Sequence, residues 1–136
     1  GDADGAWAEL GSDGSRRAPT PGPAALRPNL LIWRCPRSAG DVKVLAEHSV
    51  THVLNCAAGD CDARDLLPPE VVVRGVRSRD ADGYRILAEH LAEVEAFVDS
   101  ALASPGAVVL VHCARGQNRS AALALGYLVR RGAPLP

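Results

Sequence analysis

The stretch AVVLVHCARGQNRSAALALGYLVRR, residues 107–131, decides how this chain is read. It opens with a continuously apolar run, Val108-Val109-Leu110-Val111, which passes without a break into His112 and Cys113. A short loop containing Gly116 follows, then Arg119 and Ser120, then a segment that ends in Arg130, Arg131 and Gly132. β-branched content in the first part predicts a strand, and the last part reads as a helix from about 119 to 131, closed by Gly132 and Pro134. The arginines at its end complement the helix dipole. A loop curled at the positive end of a helix gathers backbone N–H groups into one concavity that holds a phosphate-sized dianion. Gly116 permits the curl, because a residue without Cβ allows backbone to approach a ligand closely. Arg119 can fork two phosphate oxygens with parallel charged hydrogen bonds, a geometry that lysine does not reproduce. The same surroundings favour a thiolate, the nucleophilic form of cysteine, at Cys113. Phosphate trap and thiolate trap are thus one structure.

Working outward, residues 29–33, 50–56 and 71–76 read as further strands, with helices expected over 39–48 and 84–103. The longer helix carries Leu87, Leu91, Val94, Val98 and Leu102 at helical spacing. Strands alternating with helices, with strands apolar throughout, predict an α/β fold: a central, mostly parallel sheet flanked by helices. Residues 1–28 are rich in Gly, Ala, Ser, Pro and Asp, include PTPGP at 19–23 and show no periodicity. They read as a disordered leader, with order beginning near Pro28 and one catalytic domain over 29–136.

At 136 residues the chain has room for one hydrophobic core. Its net charge of −1 draws it toward neither nucleic acid nor an anionic membrane, so anion binding must be local. No apolar run is long enough for a membrane span. The four cysteines, Cys35, Cys56, Cys61 and Cys113, match neither zinc knuckles nor a dense disulfide scaffold, and free thiols are expected. Cys56, at a strand end, reads as a small buried hydrophobe. Cys35 and Cys61 carry no assignment. His48, His52 and His90 lack ligand spacing, so no metal site and no cofactor are expected. A cytoplasmic location, with the nucleus as the alternative, suits reactive thiols. Phosphoester cleavage also needs an acid near the pocket to protonate the departing oxygen, and Asp80 and Asp82 are the candidates.

The run His112-Cys113-Ala114-Arg115-Gly116-Gln117-Asn118-Arg119-Ser120 matches in full the signature His-Cys-x5-Arg-Ser/Thr, and the sequence resembles the cysteine-dependent phosphatase superfamily. THVLNC at 51–56, Asp80 upstream and SAALALGYL after the loop resemble its dual-specificity branch, over about residues 28–136. The resemblance implies a phosphatase that cleaves phosphotyrosine and phosphoserine or phosphothreonine through a phosphocysteine on Cys113. Residues 114–119 would bind the phosphate and Asp80 would act as general acid, with Asp82 capping the next helix. Ser120 would donate to the departing thiolate, His112 would order the loop, and Asn55 would support it. Arg115 could add charge at the pocket wall. Family members continue past the position of Pro136 with further helices, so the chain resembles a truncated domain. Asn118 before the arginine also resembles RNA 5'-triphosphatases, which makes RNA or another non-protein phosphate the alternative substrate. A non-catalytic phospho-binding module is a further alternative, and a rhodanese-type sulfurtransferase ranks below both. The expected partner is a phosphorylated protein; nucleic acid and membrane are not expected.

Overall fold

The computed structural model describes residues 22–79, 83–114 and 118–132. Five strands and three helices follow one another in these segments. The strands are β1 (Ala24–Arg27), β2 (Leu30–Arg34), β3 (His52–Asn55), β4 (Val72–Gly75) and β5 (Val109–Cys113). The helices are α1 (Ala39–Glu47), α2 (Ile86–Leu102) and α3 (Asn118–Arg130).

The sheet runs in the order β1-β2-β5-β3-β4. β2, β5, β3 and β4 pair in parallel, and only β1 is antiparallel, against β2. A parallel neighbour requires the chain to return across the sheet: α1 makes the return between β2 and β3 and α2 the one between β4 and β5, whereas β3 reaches β4 through a helix-free loop. The mostly parallel α/β sheet expected from the strand-helix alternation is therefore present. β1 corrects one boundary. It lies inside the stretch assigned to a disordered leader, with Ala25 opposite Leu31. Short, alanine-rich and half exposed, it has little strand propensity of its own and owes its conformation to the edge of β2.

Side chains alternate across the sheet and divide the core in two. On one face Leu30, Leu54, Val109, Val111 and Cys113 pack with Val94, Val98 and Ala101 of α2 and Leu123, Ala124 and Tyr127 of α3. On the other, Leu31, Trp33, Val53 and Leu110 pack with Leu45 of α1. β5 is buried along its whole length. Helix ends conform to local chemistry where side chains allow it. Ser38 caps α1, its Oγ accepting from the Asp41 N–H at 3.2 Å. Past α3, Gly132 takes φ 71°, the left-handed conformation that ends a helix. Arg131 pairs with Glu95 and Asp99 of α2, which ties the two helices together. α2 departs from expectation at its start: Arg85 is the N-cap and makes no side-chain cap bond, so the cap assigned to Asp82 falls three residues too early. Asp82 itself lies outside the described residues. Leu87, expected to face the core, is 43% exposed.

Arg34, at the end of β2, grips Asp41 of α1 with two hydrogen bonds of 2.8 and 2.9 Å. These bonds hold the Asp41 carboxyl down at about 2, against an ordinary 3.8. A carboxyl lowered on folding stabilises above its unfolded value and loses that contribution as pH falls through its folded one. Asp41→Asn should therefore destabilise the protein by about 1 kcal/mol at pH 7, the surrounding water screening the pair, with the gap from wild type closing between pH 4 and pH 2. Urea unfolding at three pH values measures this.

Two glycines should respond differently to alanine. A Cβ on Gly75 would lie 2.9 Å from the Cβ of Ala58, which is fixed to backbone, whereas one on Gly126 would meet only the mobile end of Leu87 at 2.8 Å. Gly75→Ala should cost about 1–3 kcal/mol. Gly126→Ala should be neutral or stabilising by up to about 1 kcal/mol, because alanine favours the helix. Denaturant midpoints of the two variants distinguish these outcomes.

Candidate active site

Parallel strands end on one edge of a sheet, and the crevice outside their carboxyl ends is where α/β proteins place ligands. Here Asn55, Gly75 and Cys113 all reach that edge, as the last residues of β3, β4 and β5. The next described element after Cys113 is α3, whose first residue is Asn118 and whose Ser120 meets the Cys113 sulfur. The positive end of α3 is thus brought back against the strand end it follows.

Cys113 is 1% exposed and Ser120 is fully buried. Their Sγ and Oγ lie 3.4 Å apart, within hydrogen-bonding reach for sulfur. Arg119, one residue before, is also buried. Its Nη1 donates to Asp60 Oδ2 at 2.9 Å and to the Ser78 carbonyl at 3.2 Å. The Ser78 hydroxyl in turn donates to the Cys56 carbonyl. A guanidinium removed from water needs such partners, because an uncompensated buried charge is strongly destabilising. Five N–H donors leave Arg119 able to bind an oxyanion while keeping Asp60.

Asn55 braces the loop that supplies this carboxylate. Its Nδ2 donates to the Cys61 carbonyl at 2.6 Å and its Oδ1 accepts from the Ala57 N–H at 2.9 Å. These bonds fix the segment that carries Asp60. His112 sits opposite Asn55 in the β3–β5 register, and its carbonyl accepts from the Cys56 N–H at 2.7 Å. Burial drives the His112 imidazole down to about 4, so the ring is neutral at neutral pH. Its Nδ1 lies 3.4 Å from the Cys113 carbonyl.

The structure thus sets Cys113 against Ser120, with Arg119 next to it on α3, and holds His112 and Asn55 side by side at the same end of the sheet. Ala114 is half-buried and Asn118 exposed at the two ends of the loop. Arg115, Gly116, Gln117 and the candidate acid Asp80 lie outside the described residues. Asp60 was not foreseen: 59 residues separate it from Arg119, and no local pattern marks it.

The remaining cysteines divide. Cys56 is a free, fully buried thiol pushed up by desolvation, in keeping with a small hydrophobe. Cys35 and Cys61 correct the expectation of free thiols, for they are joined by a disulfide with Cα atoms 6.8 Å apart. The expectation that no metal-ligating set exists rested on histidine spacing. His48, His52 and His90 are engaged separately, with Val44, Thr51 and Glu93. The fold nonetheless gathers Cys35, Cys61 and His112 from three separate segments.

With this geometry established, comparison with known proteins becomes informative. The family described as "Dual specificity phosphatase, catalytic domain" matches residues 32–133. Human Dual specificity protein phosphatase 16 is 34% identical over 110 residues, covering 81% of this chain and 16% of that protein. Mouse Dual specificity protein phosphatase 19 is 34% identical over 92 residues, covering 68% of this chain and 40% of that one. The chain therefore spans less than half the length of these relatives. Among solved structures, human DUSP28 superposes with a TM-score of 0.67 at 31% identity, over 82% of this chain and 72% of that one. On its sequence, its fold and the strand-loop-helix setting of Cys113, the chain belongs to the dual-specificity phosphatase family.

Proposed function

We propose that the chain is a phosphoprotein phosphatase that hydrolyses phosphotyrosine and phosphoserine or phosphothreonine through a phosphocysteine intermediate, in the cytoplasm or nucleus. The observation that carries the reading is the cluster at the start of α3, where the Cys113 sulfur meets the Ser120 hydroxyl while Arg119 is held beside them. A nucleophile, a hydrogen-bond donor for it and a bidentate anion ligand converge on one helix N-terminus.

In the first step the Cys113 thiolate attacks phosphorus in line with the departing oxygen. The S–P bond forms as the P–O bond breaks, and Asp80 gives its proton to that oxygen. Arg119 and the N–H groups of the loop hold the equatorial oxygens as charge redistributes. In the second step water attacks phosphorus, Asp80 takes its proton and the S–P bond breaks. Ser120 donates a hydrogen bond to the thiolate that leaves. Asp60 and the Ser78 carbonyl keep the Arg119 guanidinium in place through both steps, so the cation arrives pre-oriented. Membership of the dual-specificity family supports phosphoserine and phosphothreonine as substrates as well as the longer phosphotyrosine.

Hydrolysis of an aryl phosphate and of phosphopeptides in the presence of chelator tests the proposal. Cys113→Ser should fall to background. Asp80→Asn should lower kcat about 10²–10⁴-fold with phosphopeptides, whose leaving oxygen needs a proton, and much less with an activated aryl ester. Asp82→Asn should retain most activity. Arg119→Lys should raise KM and lower kcat together, since the bidentate geometry is lost. Undiminished turnover by Cys113→Ser would sink the mechanism, and equal losses in Asp80→Asn and Asp82→Asn would overturn the choice of acid.

A further inference from the structure

On the face of the sheet opposite the nucleophile, three atoms of strong metal-binding character meet. The sulfurs of Cys35 and Cys61 and a ring nitrogen of His112 all lie within 4.8 Å of one another. Cys35 directly follows β2, Cys61 belongs to the loop after β3, and His112 is the penultimate residue of β5. Cys35 and His112 are buried and Cys61 is half-buried, so the trio has one opening to solvent.

The two sulfurs are bonded to each other here, and an ion requires them to part. Tetrahedral zinc, with bonds of about 2.3 Å to sulfur and about 2.0 Å to nitrogen, holds its ligand atoms roughly 3.5–3.8 Å apart. The Cα atoms of Cys35 and Cys61 are 6.8 Å apart, at the wide end of the range disulfides occupy. Backbone therefore need not move far for the sulfurs to separate around a cation. The scaffold is also braced: Asn55 holds the Cys61 carbonyl at 2.6 Å, and β2 and β3 both pair with β5 in the register that carries His112. Asp62, next to Cys61, interacts electrostatically with His112 and adds negative charge beside the trio.

We propose that Cys35, Cys61 and His112 form a binding site for one thiophilic divalent cation of the zinc class, open when the cysteines are reduced and closed when they form their disulfide. A thiol reductant converts the disulfide to two thiols and is itself oxidised to a disulfide. The cation then displaces both thiol protons to solvent and takes two thiolates and one imidazole nitrogen, leaving a fourth position for water. Metal and disulfide exclude each other because both use the same two sulfurs. The ion lies across the strand from Cys113 and one residue away, so its occupancy reaches the base of the phosphate loop through β5.

The test uses the full chain carrying Cys113→Ser, so that the nucleophile is not a ligand, kept reduced by a phosphine without oxygen. Titration with Co2+ should give sulfur-to-cobalt charge-transfer absorption that saturates at one equivalent and is abolished by Zn2+. Adding Cys35→Ser or Cys61→Ser should weaken binding by more than about 100-fold, beyond what loss of a supporting contact does. Adding Cys56→Ser should leave it unchanged. Zn2+ should also shield Cys35 and Cys61 from alkylation, mapped by mass spectrometry on the Cys113→Ser chain itself, which avoids any variant that folds poorly. Absence of thiolate–cobalt absorption in the folded, reduced chain would overturn the site, as would absorption that persists without both cysteines or alkylation unaffected by Zn2+. Equal affinity in the oxidised chain would overturn the redox control.

Discussion

The central strand β5 has a hydrogen-bonded neighbour on each edge and a packed layer on each face, and every other feature of the molecule is arranged around that confinement. A strand so enclosed can carry only side chains that tolerate burial, and valine and leucine fill it until its last two residues. His112 and Cys113 are therefore held with little freedom of position. α3 packs back on the α2 side through Leu123, Ala124 and Tyr127. That core packing holds its positive end beside the cysteine.

Burying Arg119 at that junction imposes a second constraint. A charge with so little access to water must find partners from other segments, and the loops after β3 and β4 supply them in Asp60 and Ser78. Asn55 stiffens the first of these loops through the Cys61 carbonyl, and the disulfide to Cys35 anchors the same residue from the other side. Arg119 and the Cys35–Cys61–His112 group thus meet the same loop, which gives Asp60 to one and Cys61 to the other. Only one peptide unit separates Cys61 from Asp60.

Much of the fold was legible because its signals are local. Apolar runs at 107–111 and 71–76 and the spacing of Val94 and Val98 each report a buried face within a few residues of themselves. β2 and β5 keep their expected five residues but lie one and two positions further along the chain, where their mutual pairing places them. β1 escaped notice because Ala24 and Ala25 hold no intrinsic strand preference, and only the neighbouring edge of β2 makes them extended. The start of α2 was misjudged for the converse reason. An aspartate before a helical pattern looks like a cap, yet the first turn begins at Ile86 without side-chain capping.

The sequence by itself determined which residues form the candidate site. Cys113, Gly116, Arg119 and Ser120 fall within eight residues, and a strand, a tight turn and a helix N-terminus bring such neighbours together wherever they occur. Tertiary structure alone decided which groups stand behind them. Asp60 meets Arg119 across 59 residues, and Cys35 meets Cys61 across 26, because parallel strands distant in the chain end side by side on one edge of the sheet. Contacts of that kind depend on strand order and register, which arise from packing both faces of the sheet at once and leave no periodic trace in any one segment.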